Sequence, residues 1–170
     1  MFVGDSITQR NEWAEMFNNY NIINRGIDSD RIIWLHERLD NLIANEPNKI
    51  FLKIGINDIM DGKPVEQMIE EYEFVLDKFK EINSCEVIVQ SCLPVNNTEY
   101  KHPIDNTRVQ MFNSNLKELV QGKELKYINL YDSFVDDRNE LNPRYTKDGC
   151  HLNGNGYLVW KGVIDKLSII

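Results

Sequence analysis

Residues 50–79 read IFLKIGINDIMDGKPVEQMIEEYEFVLDKF, and the architecture is decided there. Ile50 to Ile54 is a short, nearly continuous apolar run, the pattern of a strand covered on both faces. Asp61-Gly62-Lys63-Pro64 then sets a turn and puts proline at a first helical position. After it, Val65, Met68, Ile69, Tyr72, Val75, Leu76 and Phe79 fall on one face at helical spacing. A buried strand followed by an amphipathic helix is the repeating half of a parallel crossover unit.

The same alternation runs outward in both directions. Further strand-like runs are Met1 to Val3, Ile22 to Ile23, Val87 to Val89 and Tyr127 to Leu130. Ile32, Leu35, Leu39, Leu42 and Ile43 form another helical stripe, and Asp105 is placed to cap a helix carrying Val109, Phe112, Leu116, Leu119 and Val120. A last helix is expected from Gly154 to Leu167. The pattern predicts an α/β fold, a three-layer α/β/α sandwich with about five parallel strands. No repeat or linker interrupts it, and the loopiest segment, Pro94 to Pro103, is too short to separate domains, so residues 1–170 are read as one domain. The first strand begins at residue 1, which is short for a central strand and reads as clipped.

Composition narrows the partners. The chain has 170 residues, 42% of them apolar and 27% charged, enough to bury a core without metal or disulfide staples, and no cofactor is expected. Nineteen basic against twenty-seven acidic residues leave a net charge of -8, which repels phosphate backbones and argues against nucleic acid. Cys85, Cys92 and Cys150 are odd in number and irregular in spacing, so a reducing, cytoplasmic compartment is expected. Met1 to Asp5 carries no secretory signal, and no apolar run reaches the ~18 residues of a membrane span.

Polar clusters stand where strands end: Gly4-Asp5-Ser6-Ile7-Thr8, Asn24-Arg25-Gly26 and Gly55-Ile56-Asn57-Asp58. A fourth, Asp148-Gly149-Cys150-His151, precedes the last helix. In a parallel sheet these converge on the carboxyl edge of the strands. Acyl transfer by a serine needs an imidazole to take its proton, a group to fix that imidazole, and donors for the oxyanion. Ser6, His151 and Asp148 match the nucleophile, the base and the orienting group. The backbone N–H groups of Ser6 and Gly26 and the side-chain amide of Asn57 match the donors.

These four blocks, in this order and spacing, resemble those of the SGNH hydrolases, also called GDSL esterases and lipases. The resemblance spans positions 4 to 151. It implies a flavodoxin-like sheet, Ser6 as nucleophile, Gly26 and Asn57 as oxyanion donors, and an Asp148–His151 pair, without metal. Trp34-Leu35, Asn57-Asp58-Ile59 and His151-Leu152-Asn153 with Gly156-Tyr157 look most like the short acetylhydrolase branch. That branch includes platelet-activating-factor acetylhydrolase subunits and carbohydrate O-acetylesterases. Many members carry a further glycine about three residues after the first in the second block, where this chain has Ser29.

The expected activity is hydrolysis of a short acyl ester, most of all acetyl, on a small molecule such as an O-acetylated carbohydrate. A lysophospholipase or acyl-thioesterase stays open, because Ile27, Ile59, Met60, Pro94, Val95 and Leu152 can together line an apolar groove. So does a receiver or flavodoxin-like binding module, with Asp58 as phospho-acceptor. Asp5 and Asp58 are expected to be structural, His36 and His102 solvated, Cys150 a packing residue, and Tyr157 and Trp160 core aromatics.

Overall fold

A computed structural model describes residues 1–170. Its elements run β1 (Phe2–Gly4), α1 (Ser6–Gln9), α2 (Trp13–Met16), β2 (Asn24–Gly26), α3 (Ile32–Glu37), α4 (Leu39–Ile43) and β3 (Lys49–Lys53). They continue with α5 (Ile56–Met60), α6 (Val65–Lys80), β4 (Glu86–Gln90), α7 (Asn97–Tyr100), α8 (Asn106–Gly122), β5 (Lys126–Ile128) and α9 (Gly154–Lys166). The five strands are parallel and lie in the order β2-β1-β3-β4-β5. The chain therefore steps one way from β1 to β2, then crosses back over β1 to β3 and continues in that direction, so the order reverses between β1 and β3. In such sheets the crevice beyond the carboxyl ends of the two strands at this reversal is where ligands bind.

Successive strand residues point to opposite layers. Val3, Ile50, Leu52, Val87 and Val89 pack with the stripes of α3, α4, α6 and α8. Phe2, Phe51, Ile88 and Ile128 pack on the other side with Trp13 of α2 and with Trp160 and Ile164 of α9. Phe2 stacks between Trp13, at 4.1 Å between ring centroids, and Phe51, at 4.7 Å. Burying a side chain of this size contributes roughly 1.5–3 kcal/mol. Three residues suffice for an interior strand here because Phe2 and Val3 are both buried and β1 is paired on both edges.

Two local expectations change. The second strand is Asn24–Gly26 rather than Ile22 to Ile23, because the register sets Asn24 opposite Phe2 and the Asn24 amide ties the strand to the main-chain oxygens of Thr8, Gln9 and Asn11. The stripe from Ile32 to Ile43 is divided at Arg38, whose guanidinium turns to grip Asp30 Oδ2 at 2.5 and 3.1 Å. No helix is long and apolar enough to cross a membrane.

Candidate active site

Ser6 opens α1, directly beyond β1. Asp5 is the cap: its Oδ1 accepts the Ile7 N–H at 3.0 Å, and its main-chain oxygen accepts from Thr8 and Gln9. Capping frees the Ser6 side chain from that duty. Ser6 Oγ lies 3.0 Å from His151 Nε2, across 145 positions of sequence. The Tyr157 hydroxyl of α9 donates to the Ile7 oxygen at 2.8 Å and so draws the segment carrying His151 onto α1.

His151 is oriented in turn. Its Nδ1 lies 2.7 Å from Asp148 Oδ2, while Asp148 Oδ1 accepts the N–H groups of Cys150 at 3.0 Å and His151 at 2.8 Å. Partial burial works to raise the Asp148 pKa, but these two amides and the His151 ring outweigh it and hold the carboxyl down at about 2. Thr146 Oγ1 donates to the His151 oxygen at 2.7 Å and accepts the Gly149 N–H at 2.9 Å, closing the turn.

Asn57, in the first turn of α5, donates one amide hydrogen to the Asp30 oxygen at 2.8 Å and keeps the second. Asp30 is itself fixed by Arg38 and by the N–H of Arg31, so the position of Asn57 is set from the 27–31 loop. Gly26 departs from expectation. Its N–H donates to Asn24 Oδ1 at 2.9 Å, which commits that amide to the strand end rather than to an oxyanion. The glycine is required for another reason: a Cβ there would meet Gln9 N at 2.3 Å and Gln9 Cα at 2.7 Å. Ser29 has φ +61, the left-handed conformation that glycine adopts most readily, and its N–H makes no hydrogen bond within the chain.

Other residues singled out from the sequence sort as follows. Asp5 and Asp58 are fully buried; Asp58 Oδ2 accepts the Ile32 N–H at 3.1 Å and its Oδ1 faces Lys63 Nζ at 2.9 Å, leaving no exposed carboxylate for a phospho-acceptor. His36 and His102 are not merely solvated. His36 Nε2 contacts the Glu71 oxygen at 2.9 Å, and His102 Nε2 contacts the Asp148 oxygen at 2.5 Å. Cys150 packs against the larger core cluster, and Tyr157 and Trp160 belong to the other. The apolar groove is not formed: Ile59, Pro94, Val95 and Leu152 are buried, and only Ile27 and Met60 remain exposed. No three His, Cys, Asp or Glu side chains are grouped to hold a metal ion.

Thr146, Asp30 and Arg38 support the site without any signal in the sequence pattern. Lys53 alone left a mark in the sequence, as a lysine inside an apolar run. A hydroxyl, an imidazole and a carboxylate in hydrogen-bonded series, beside an amide with a hydrogen to spare, form an arrangement suited to acyl transfer.

The profile of the GDSL-like lipase/acylhydrolase family matches residues 2–159. The chain belongs to that family. That family groups lipases and acylhydrolases, and the α/β sheet of this chain is the fold of its SGNH relatives. Its structure is similar to that of a Streptococcus pneumonia protein described provisionally as a platelet activating factor. The two are 28% identical, with a TM-score of 0.85 over 98% of this chain and 81% of that one. An acetylxylan esterase from Geobacillus stearothermophilus shares the fold at 15% identity, with a TM-score of 0.78 over 97% of this chain and 91% of that one. Over 152 residues the GDSL-like chain is 22% identical to an N-acylneuraminate cytidylyltransferase of Streptococcus agalactiae serotype V. That match takes in 89% of this chain and 34% of the other, so the chain spans about a third of the length of the curated relative it matches.

Proposed function

We propose that the chain is a serine esterase that removes a short acyl group, most of all acetyl, from an oxygen ester through an acyl-Ser6 intermediate. The observation that carries this reading is the continuous series from Ser6 Oγ through His151 to Asp148, at 3.0 and 2.7 Å. Asp148, ionised throughout the neutral range, fixes the tautomer that keeps a proton on Nδ1 and leaves Nε2 free to accept. As Ser6 Oγ attacks the ester carbon, its proton passes to His151 Nε2. The charge that develops on the carbonyl oxygen is met by the second amide hydrogen of Asn57, the N–H of Ser6, and the N–H of Ser29 in place of that of Gly26. Collapse breaks the bond to the alcohol, which leaves with the proton from His151. Water then gives a proton to His151 and attacks the acyl carbon; the bond to Ser6 Oγ breaks, Ser6 takes the proton from His151, and the carboxylic acid departs and ionises in the solvent.

Chain length follows from the closed groove. A long acyl tail needs continuous apolar wall, and four of the six residues able to supply it are buried. The acetylxylan esterase neighbour and the N-acylneuraminate-handling relative turn the choice toward acetyl esters of carbohydrates.

The test has two arms. p-Nitrophenyl esters from C2 to C12 are assayed with acetylated xylo-oligosaccharides, an O-acetylated N-acylneuraminate, lysophospholipids and acyl-thioesters, on wild-type and Ser6→Ala protein. A small fluorophosphonate followed by mass spectrometry identifies the labelled residue. Activity falling from C2 upward, lost in Ser6→Ala, with label on Ser6, is the expected result. A rate peaking at C8 or beyond, or label on Cys150, overturns it.

A further inference from the structure

Directly behind Ser6 two opposite charges are shut away from water. Asp5 and Lys53 are both 0% exposed, with Lys53 Nζ 3.6 Å from Asp5 Oδ2. At that separation they attract without sharing a hydrogen bond, and neither Nζ nor Oδ2 has any other hydrogen-bond partner. Lys53 Nζ instead lies over the Trp160 ring, 5.9 Å from its centroid. A pair of this kind is a weak source of stability. Stripping water from both ions costs about as much as their attraction returns, and apolar side chains of similar volume often do as well. Its placement needs another reason.

That reason lies in what surrounds Asp5. The same carboxylate whose Oδ2 faces Lys53 uses Oδ1 to take the Ile7 N–H at 3.0 Å, and the Asp5 main-chain oxygen takes those of Thr8 and Gln9. Every bond that starts α1, and so aims Ser6, thus passes through this one residue. Lys53 stands opposite Gly4 in the β1–β3 register, and the two strands close tightly there: a Cβ on Gly4 would meet the Lys53 oxygen at 2.1 Å and Thr8 Oγ1 at 2.4 Å. Lys53 is therefore locked to the strand end from which Ser6 is presented.

We propose that Lys53 is a positioning residue for the nucleophile: its buried ammonium holds the Asp5 side chain in place beneath α1, and Asp5 holds the turn that points Ser6 Oγ at His151. Lys53 touches no substrate in this scheme, which rests on the serine esterase reading above. Removing one partner of a buried ion pair leaves an uncompensated charge that is driven to turn toward water, and a turn by Asp5 would take the Ile7 N–H and the start of α1 with it. The other titratable groups near the pair are Asp30 of the 27–31 loop, Tyr72 of α6, Cys92 after β4, Cys150 and His151 before α9, Tyr157 of α9, and Arg10 after α1. Arg10 is engaged with Asp28 at the surface, which leaves Lys53 as the cation in contact with Asp5.

The experiment compares Lys53→Met, Asp5→Asn and the double variant with wild type, using p-nitrophenyl acetate from pH 5 to 9 and a thermal melt of each. In Lys53→Met, kcat at pH 7 is expected to fall at least ten-fold with KM within two-fold. In the double variant, with no uncompensated charge left behind Ser6 and an amide oxygen still able to accept the Ile7 N–H, kcat should recover part of the loss. A lowered melting temperature with kcat unmoved means that the pair only stabilises the fold, and overturns the proposal. So does a double variant as slow as Lys53→Met. If Lys53→Met does not fold, Lys53→Gln is read against the same two outcomes. Failure of the esterase reading is separate, since it appears in wild type as absent ester turnover and an unlabelled Ser6.

Discussion

Replacing Asn57 by alanine separates chemistry from scaffolding. One of the two Asn57 amide hydrogens is spent on the Asp30 oxygen at 2.8 Å, and in the proposed mechanism the other meets the oxyanion. Removing an oxyanion donor typically costs about 10²–10³ in kcat, or roughly 2.7–4 kcal/mol, at nearly constant KM. The stranded Asp30 oxygen adds a folding penalty of about 1–3 kcal/mol. In a chain of this size each kcal/mol lowers Tm by roughly 2–4 °C, so a drop of roughly 2–12 °C is expected. Steady-state kinetics on p-nitrophenyl acetate, well below the variant's Tm, with a parallel thermal melt, reads both quantities. A kcat within three-fold of wild type beside a lowered Tm would refute the reasoning, since Asn57 would then only anchor the 27–31 loop.

Three further outcomes follow from the same geometry. Ser6→Ala and His151→Ala should each reduce kcat/KM by at least about 10³ while circular dichroism and Tm stay close to wild type, because neither side chain is needed to hold its turn. Asp148 has a folded pKa of about 2, below its ordinary value of 3.8, so its contribution to stability is complete above pH ~4 and is lost as pH falls toward 2. With the side chain half exposed, that contribution is about 1 kcal/mol after screening. The Tm difference between wild type and Asp148→Asn, followed by calorimetry, should therefore shrink over that window and stay constant from pH 5 to 7. Gly26→Ala should cost about 1–3 kcal/mol in urea unfolding, because its new Cβ meets the main chain of Gln9 rather than a movable side chain. A neutral result there would show that α1 has room to retreat.

Periodicity carried most of the architecture. The stripe from Val65 to Phe79 matches α6, the cap at Asp105 accepts the Thr107 N–H at 2.8 Å, and α9 ends one residue short of the expected Leu167. These features are local, decided by neighbours three or four positions away. The placement of β2 was not local, because pairing with Phe2 and the bonds made by the Asn24 amide draw polar residues into the strand. The site divided in the same way. Blocks of residues marked where Ser6, Asn57, Asp148 and His151 would converge, since sheet topology alone brings strand ends together. What pattern did not reveal is where each N–H is spent: Gly26 donates to a side chain two residues away, and the Ser29 amide, in an unusual backbone conformation, makes no internal bond. Nor did composition mark Ile59, Pro94, Val95 and Leu152 as interior rather than as a groove, because an apolar residue reads alike in both places.

Ser6 and His151 meet across 145 positions, and the tie from Tyr157 to Ile7 spans 150. During synthesis, a chain still attached to the ribosome with residue 151 inside the exit tunnel has no imidazole to offer its serine, however well the earlier strands have paired. On the proposed mechanism, hydrolysis begins only when the closing segment emerges and docks. If that mechanism holds, turnover of a chromogenic ester is a stringent reporter of completed folding for this molecule, silent for truncated or misassembled products that optical probes of helix content would count as native.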